Sequence, residues 1–578
     1  MSSSANQSLK PLRIWPPIFL IALALILRSS PKLIKDAPDW LWIVAVFGPL
    51  VCGLIVLIWW FTCSRASGRE KLLSLVGLAL GVVILIVGLD STMKGPGMMT
   101  LTIPMGILGF AATAILVSRW LDGKRILAIV AICVLSFAFS ILLRNGGMWG
   151  NGAQDFRWRW TPTPEEAMLA ARNAESADSI PQNTESVMSS GVPEWPGFRG
   201  PNRDGQQTGT TLSSDWKASP PRELWRIAVG PGWASFAAQG NRLFTQEQRG
   251  PDEFVVCYAA DSGNELWTSP IGGRFDDPMG GPGPRATPEL SNGRLYALSA
   301  NGTLACVNAA DGANLWKVDI AKIAEREPPM WGYASSPLVV DSLVIVHAGG
   351  AGDKGILAFD TASGELKWSA SSGDHSYSSA QLSTLLGEEF VLMSTNLGLR
   401  LLDPETGNVR YFHDSKHSAY RTLQPQLLSS DAVLVQASGG PGTYRLNLTK
   451  SGDKISGEEG WNTTWLKSDF NGCVIHEDFL YGFNGSVMVC LDIKTGERKW
   501  RAGRYGKGQV LLLKDSGLLL VVSEQGQAIL VRATPEKHEE LASAQIFEGK
   551  AWSHPVVIGD RLYLRNAQEA VCFQLPTK

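Results

Sequence analysis

The chain has 578 residues, 52 Lys plus Arg against 54 Asp plus Glu, a formal net charge of −2, and 45% hydrophobic beside 18% charged residues. Those proportions exclude an intrinsically disordered protein, which shows the opposite balance, and without a basic excess there is no reason to expect a nucleic-acid partner. With 60 Gly and 21 Trp over a length of several ordinary domains, the composition favours repetition.

Five apolar runs fill residues 1–150: 14–27, 40–62, 72–89, 98–117 and 126–143. Four approach or exceed the roughly 18 residues at which an uncharged run reads as a transmembrane helix. The first is shorter, contains Pro16 and Pro17, and follows Lys10 and Arg13. The residues after it, Arg28-Ser29-Ser30-Pro31-Lys32, offer no small-x-small cleavage site, so it reads as an uncleaved anchor. With the amino terminus in the cytoplasm, the inside segments carry Lys10, Arg13, Arg65, Arg69, Lys71, Arg119, Lys124 and Arg125, against Arg28, Lys32, Lys35 and Lys94 in the two outside loops, while Arg144, Arg157 and Arg159 follow the last span on the outer side and weaken the bias. That bias predicts a multi-pass protein of the bacterial inner membrane that meets lipid through residues 1–150, with everything after Arg144 in the periplasm. Residues 151–194 shift to Pro, Ser, Ala, Asn and Glu and read as a flexible linker, with a short helix near Glu165 to Ala174.

From residue 195 onward a repeat takes over. The frame D-x-x-[T/S]-G-x-x-x-W recurs at Asp360, Asp453 and Asp492, with degenerate copies around Gly263, Gly312 and Gly407. Its glycines recur at about 40 to 50 residues, the length of a propeller blade. Asx followed by Thr/Ser-Gly makes a tight turn between two strands, because the Asx side chain bonds the backbone and Gly accepts positive φ. Apolar runs such as 255–258, 303–307 and 487–491 precede these turns, and Asn-Gly or similar turns join two more strands upstream. Each unit therefore has four strands, and the Trp ending each frame is expected on the outermost strand, packed against the neighbouring blade. Seven units run through to about residue 547. The last three strands lack a fourth, and residues 223–229 are an outer strand lacking its first three. Joining them gives an eight-bladed all-β propeller of four antiparallel strands per blade, closed by its N-terminal strand and without free edges, over residues 195–578.

This frame resembles the repeat of pyrroloquinoline-quinone-dependent dehydrogenases and of the outer-membrane assembly lipoprotein B propeller. Trp195-Pro196-Gly197-Phe198-Arg199-Gly200-Pro201-Asn202-Arg203-Asp204-Gly205 resembles the entry motif of secreted quinoprotein-like propellers abundant in planctomycete-type bacteria. Gly283 to Pro288, Trp331 to Pro337 and Arg561 to Asn566 resemble the same group. For the dehydrogenases, the resemblance implies a quinone with calcium or a lanthanide held by Glu, Asn and Asp, a catalytic Asp, a stacking Trp and a disulfide between adjacent cysteines. No Cys-Cys pair and no C-x-x-C-H occur here. Cys257, Cys306, Cys490 and Cys572 share third-strand positions that face different blade interfaces, so they read as small packing residues rather than disulfides.

Site candidates sit where first strands begin, because those strands line the axial channel. They are Arg285, Tyr333, Ser335, Tyr377, Asn471 and His554, with His375 and Arg421 nearby and Ser235, Ser378 and Gln509 at like positions. Arg and Tyr there suit the carboxylates and ring of a quinone, a bound peptide strand, or hydrogen bonds that simply close the channel. His413 and His417 have ligand-like spacing, but their surroundings read as a loop and no metal site is expected. Two functions follow. One is a membrane-anchored propeller binding envelope proteins or polymers. The other is a dehydrogenase of alcohols or sugars with pyrroloquinoline quinone and calcium, passing electrons to a membrane acceptor.

Overall fold

Each frame turn joins two antiparallel strands, and the resulting hairpins assemble into eight four-stranded sheets. The computed structural model describes residues 11–34, 37–120, 122–176, 192–374, 376–414, 421–436 and 442–578. They fall into a helical unit (Met1–Pro162 with Asp277–Gly281) and a β unit (Thr163–Asp276 with Pro282–Lys578).

Blades 1 to 7 of the β unit lie at residues 237–273, 289–319, 338–370, 381–414, 426–463, 474–504 and 509–545. Blade 8 combines Val556–Ile558, Arg561–Arg565 and Glu569–Gln574 with Arg222–Ala228, which pairs antiparallel to the last of them. The expected closure by an N-terminal strand is therefore present. First strands such as Ala237–Gln239 and Gln509–Leu513 are wholly buried, while fourth strands such as Asn314–Asp319 have every second residue exposed. The first strands thus surround the axis and the fourth strands form the rim.

The frame glycines serve two needs. Gly364 has φ +75°, and a Cβ there would lie 2.7 Å from the ring of Trp316 in the preceding blade; at Gly496 (φ +72°) the corresponding distance to Trp461 is 2.6 Å. The indole N–H of each of these Trp residues then donates across the seam, from Trp316 to the Thr361 carbonyl (3.1 Å) and from Trp461 to that of Ile493 (3.0 Å). Cys257, Cys306, Cys490 and Cys572 stand directly opposite Trp267, Trp316, Trp500 and Trp225 in the ladders, where a small side chain leaves room for the indole. All eight cysteines are free. One copy departs from expectation: Gly457 lies inside the strand Lys454–Thr463 and not in a turn, because this hairpin is longer and turns at Gly452 (φ +60°). Gly457 nevertheless faces the Tyr411 ring of the preceding blade. His413, expected in a loop, lies in the outer strand Val409–Asp414 and bonds Glu459 (2.9 Å); His417 lies outside the described residues.

In the helical unit, α1 (Trp15–Leu33), α2 (Asp39–Thr62), α3 (Gly68–Gly88), α4 (Ile103–Leu116) and α5 (Asp122–Phe139) follow the apolar runs. Four stretches, Trp40–Thr62, Gly68–Gly88, Met98–Leu116 and Lys124–Leu142, are long and apolar enough to cross a membrane; Trp15–Pro31 is apolar but shorter. Phe137 of α5 fits against glycines of two helices, Gly81 of α3 and Gly106 of α4. Glu70, in a capping box with Ser67, forms a buried ion pair with Arg125 (2.6 Å). In the β unit, α6 (Pro164–Ser176) packs on blade 1, where Glu165 pairs with Arg274 (2.9 Å) and accepts the Gly250 N–H (2.8 Å).

Candidate functional site

Alternating strand direction sends the leading ends of all first strands, with the loops that enter them, to one mouth of the channel. The first-to-second turns lie at the other, trailing mouth.

At the leading ends a belt of hydrogen bonds passes from blade to blade. The Ser235 N–H bonds Thr287 Oγ1, the Thr287 N–H bonds Ser336 Oγ, and the Ser336 N–H bonds Ser379 Oγ, each at 2.9 Å. Ser378 Oγ donates to the Leu423 carbonyl (3.0 Å), Gln426 Nε2 to that of Cys473 (3.0 Å), and Gln509 Nε2 to that of Trp552 (2.9 Å). Ser235 Oγ donates to the His554 carbonyl (2.7 Å), and the seam between blades 6 and 7 is spanned instead by the Lys507–Asp469 ion pair. The seam between blades 8 and 1 is further held by the buried Arg565, whose guanidinium bonds Thr245 Oγ1 (2.7 Å) and the carbonyls of Gln246 and Gly230 (2.8 Å each). Arg565→Lys gives up the fork that reaches three acceptors and should cost about 2 kcal/mol in chemical denaturation. The protection lost in hydrogen exchange should centre on that seam.

The entry motif, read in the sequence only as a family marker, fills the channel. Trp195 pairs with Ala238 of blade 1 and the Pro196 carbonyl accepts the Leu290 N–H of blade 2 (2.7 Å). Arg203 bonds Glu289 (3.1 Å) and the carbonyls of Ser336 (3.1 Å) and Pro337 (2.7 Å). Gln381 of blade 4 reaches the Asn202 carbonyl (3.1 Å), Arg199 the Cys473 carbonyl before blade 6 (2.5 Å), and Phe198 meets the His554 ring edge-on. Gln206–Gln207 then adds a parallel fifth strand to blade 7. Nothing in the sequence marks this placement, since it depends on seven blades distant along the chain.

At the leading mouth, Trp233 and Trp552 lie 4.7 Å apart between ring centroids, Phe470 stands edge-on to Trp552 at 5.2 Å, and Lys550 lies over both Trp rings. Trp552 is fixed by its indole N–H to Glu524 (2.9 Å). Periodicity assigned most Trp residues to packing, which hid this pair in the loops between blades.

The predicted residues distribute as follows. Tyr377 and Arg421 come together, the Tyr377 N–H bonding the Arg421 carbonyl (2.7 Å), and the Tyr377 ring lies against Trp331. Arg421 is fully buried and donates to the Gln436 carbonyl (3.4 Å). Arg285 lies over Phe275 at 5.2 Å and donates to the Gly283 carbonyl. Tyr333 is buried in the core shared by blades 2 and 3. Ser335 is buried without a hydroxyl partner among the described residues, and Asn471 is buried with its side-chain oxygen on the Asp469 N–H (3.1 Å). His375 lies outside the described residues. Burial, with Arg199 nearby, holds the His554 ring down at about 3, so it stays neutral at physiological pH. Burial also pushes the Glu289 carboxyl up to about 7 despite Arg203.

A family model described as outer membrane protein assembly factor BamB (PQQ_2) matches residues 208–321 and 251–502, together just over half of the chain. The chain belongs to this BamB family of quinoprotein-like propellers. No curated protein matches the sequence. Among solved structures, BamB from Moraxella catarrhalis is 15% identical, with 61% of this chain and 100% of that one covered and a TM-score of 0.43. The quinohemoprotein alcohol dehydrogenase ADHIIG from Pseudomonas putida HK5 is 11% identical over 67% of this chain and 80% of its own, with a TM-score of 0.47. That from Comamonas testosteroni is 12% identical over 71% and 85%, with a TM-score of 0.38.

Among the described residues no three His, Cys, Asp or Glu side chains gather as a metal site, and the carboxylates nearest the leading mouth are engaged, Asp469 by Lys507 and Glu524 by Trp552.

Proposed function

We propose that this chain is a membrane-anchored binding or scaffold module of the bacterial envelope, which presents the leading mouth of its propeller in the periplasm to envelope proteins or polymers. The observation that carries this reading is how the axial polar groups are used. Ser235, Ser378, Gln509 and the His554 carbonyl spend their hydrogen bonds on ring closure. What remains at the mouth is the Trp233, Trp552 and Phe470 cluster beneath Lys550, a contact surface of the kind that dominates recognition energetics. The four apolar helical stretches support the anchoring, and the excess of cations in the cytoplasmic loops supports the orientation.

The test titrates the full chain in detergent with pyrroloquinoline quinone and calcium by calorimetry, and follows dye-linked oxidation across alcohols and sugars. No saturable binding is expected well above micromolar quinone. Saturable binding with dye reduction would overturn the proposal in favour of the dehydrogenase reading. In parallel, Trp552→Ala should reduce envelope components crosslinked to the intact chain at the leading mouth, with no change in thermal unfolding above about 1 kcal/mol equivalent.

A further inference from the structure

We infer that the axial channel of this propeller is a peptide site for an extended segment carrying two arginines four residues apart. Residues 195–207 fill it in cis, and this segment leaves as a unit while the ring of blades stays closed.

The segment is held at a local cost. Arg199 and Arg203 both adopt left-handed backbone conformations, φ +63° and +53°, which non-glycine residues rarely accept. Both guanidiniums are buried, and burial lowers the pKa of each. One carboxylate, Glu289, hydrogen-bonds one of them, and Nε of each has no partner among the described residues. Two strained residues and two desolvated charges within five positions favour local release of this stretch.

The ring does not depend on it. Blade 8 closes through Arg222–Ala228, and the belt of Ser, Thr and Gln hydrogen bonds, with the Lys507–Asp469 pair between blades 6 and 7, joins neighbouring blades without using any residue of the segment. Both ends of the segment lie at the trailing mouth, where the Gly240 N–H bonds Glu194 and the Gly209 N–H bonds Asp515. It can therefore withdraw as a loop, without threading the channel. The remaining ties are hydrogen bonds to carbonyls, the Arg203–Glu289 pair, the Trp195 bridge with its indole in the core, and a two-residue strand, all of which a second peptide of the same sequence can replace.

Cys473 reports on this. Its carbonyl receives Arg199, its thiol is fully buried, and burial pushes that thiol up to about 12. Cys257, Cys306, Cys490 and Cys572 are equally buried but lie in third strands, away from the segment. The full chain in detergent is alkylated with N-ethylmaleimide and each thiol followed by peptide-resolved mass spectrometry, for the wild type, R199A/R203A and Arg199→Ala. Cys473 should react more than about tenfold faster in R199A/R203A, the loss of charge-assisted bonds favouring the open state. The four third-strand thiols should keep their wild-type rates, and a synthetic peptide of residues 194–207 should slow Cys473 again. An unchanged Cys473, acceleration of all five thiols together, or a peptide without effect overturns the inference. If R199A/R203A does not fold, the single substitution Arg199→Ala, which removes the bond to the Cys473 carbonyl, decides by the same outcomes.

Discussion

Gly364→Val is expected to destabilise the propeller by about 4 kcal/mol, summing the strain of a β-branched residue at positive φ and the overpacking of a filled seam. At this position φ is +75°, and the new Cβ would stand 2.7 Å from the Trp316 ring, which is itself tied to the Thr361 carbonyl. The ring cannot retreat without giving up that bond or opening the seam between blades 2 and 3. Gly387 provides the control, since its φ is +82° but nothing lies within 4 Å of the Cβ position. Urea denaturation of Gly364→Ala and Gly387→Ala separates the two causes. Alanine at 387 should cost about 1 to 2 kcal/mol from backbone strain alone, and alanine at 364 should cost clearly more. Equal losses would mean that the Trp docking contributes nothing beyond the turn.

The second large effect is a loss of stability as pH rises. Burial pushes the Glu253 carboxyl up to about 7, against the opposing pull of the Ala300 N–H and Arg285. Its Oε2 accepts that N–H at 2.9 Å, while Oε1 has no partner among the described residues. A carboxyl with a raised folded-state pKa binds its proton more tightly folded than unfolded. Its penalty is absent below the unfolded value near 4.5, grows as pH rises, and is complete above about 7. The shift corresponds to about 3 kcal/mol. Thermal or urea unfolding from pH 5 to 8 should therefore show the wild type weakening, with Glu289, also held at about 7, adding to the slope. Glu253→Gln keeps an acceptor for Ala300 and should flatten the profile by about 3 kcal/mol relative to the wild type. Parallel profiles for the two proteins would show that Glu253 is charged in the fold at no cost.

Much of the architecture was legible because the physics behind it is local. The turn at Asn292-Gly293 forms between Glu289–Ser291 and Arg294–Leu298 with both residues at positive φ, as an Asn-Gly pair demands. The role of the third-strand cysteines was legible in outline, as small packing residues, although not that each faces a Trp. Gly457 was misplaced because the frame was matched by letters alone, and the longer hairpin around it moved the turn to Gly452. Of the site, the positions at the leading ends were found and their partners were not. Ser235 meets His554, and Tyr377 meets Arg421, through hydrogen bonds between residues 319 and 44 positions apart.

By itself the sequence determined the apolar helices, the four-stranded unit, the number of blades and their closure by Arg222–Ala228, because periodicity, turn chemistry and the need to leave no open edge act over short stretches or on simple counts. Only the tertiary structure decided that residues 195–207 occupy the axis, that Ser235, Ser378 and Gln509 join blade to blade, and that Trp233, Trp552 and Phe470 meet at one mouth. The reason is geometric. A channel is made by eight first strands drawn from the whole length of the propeller, so what fills it is fixed by ring closure and not by any neighbourhood in the chain.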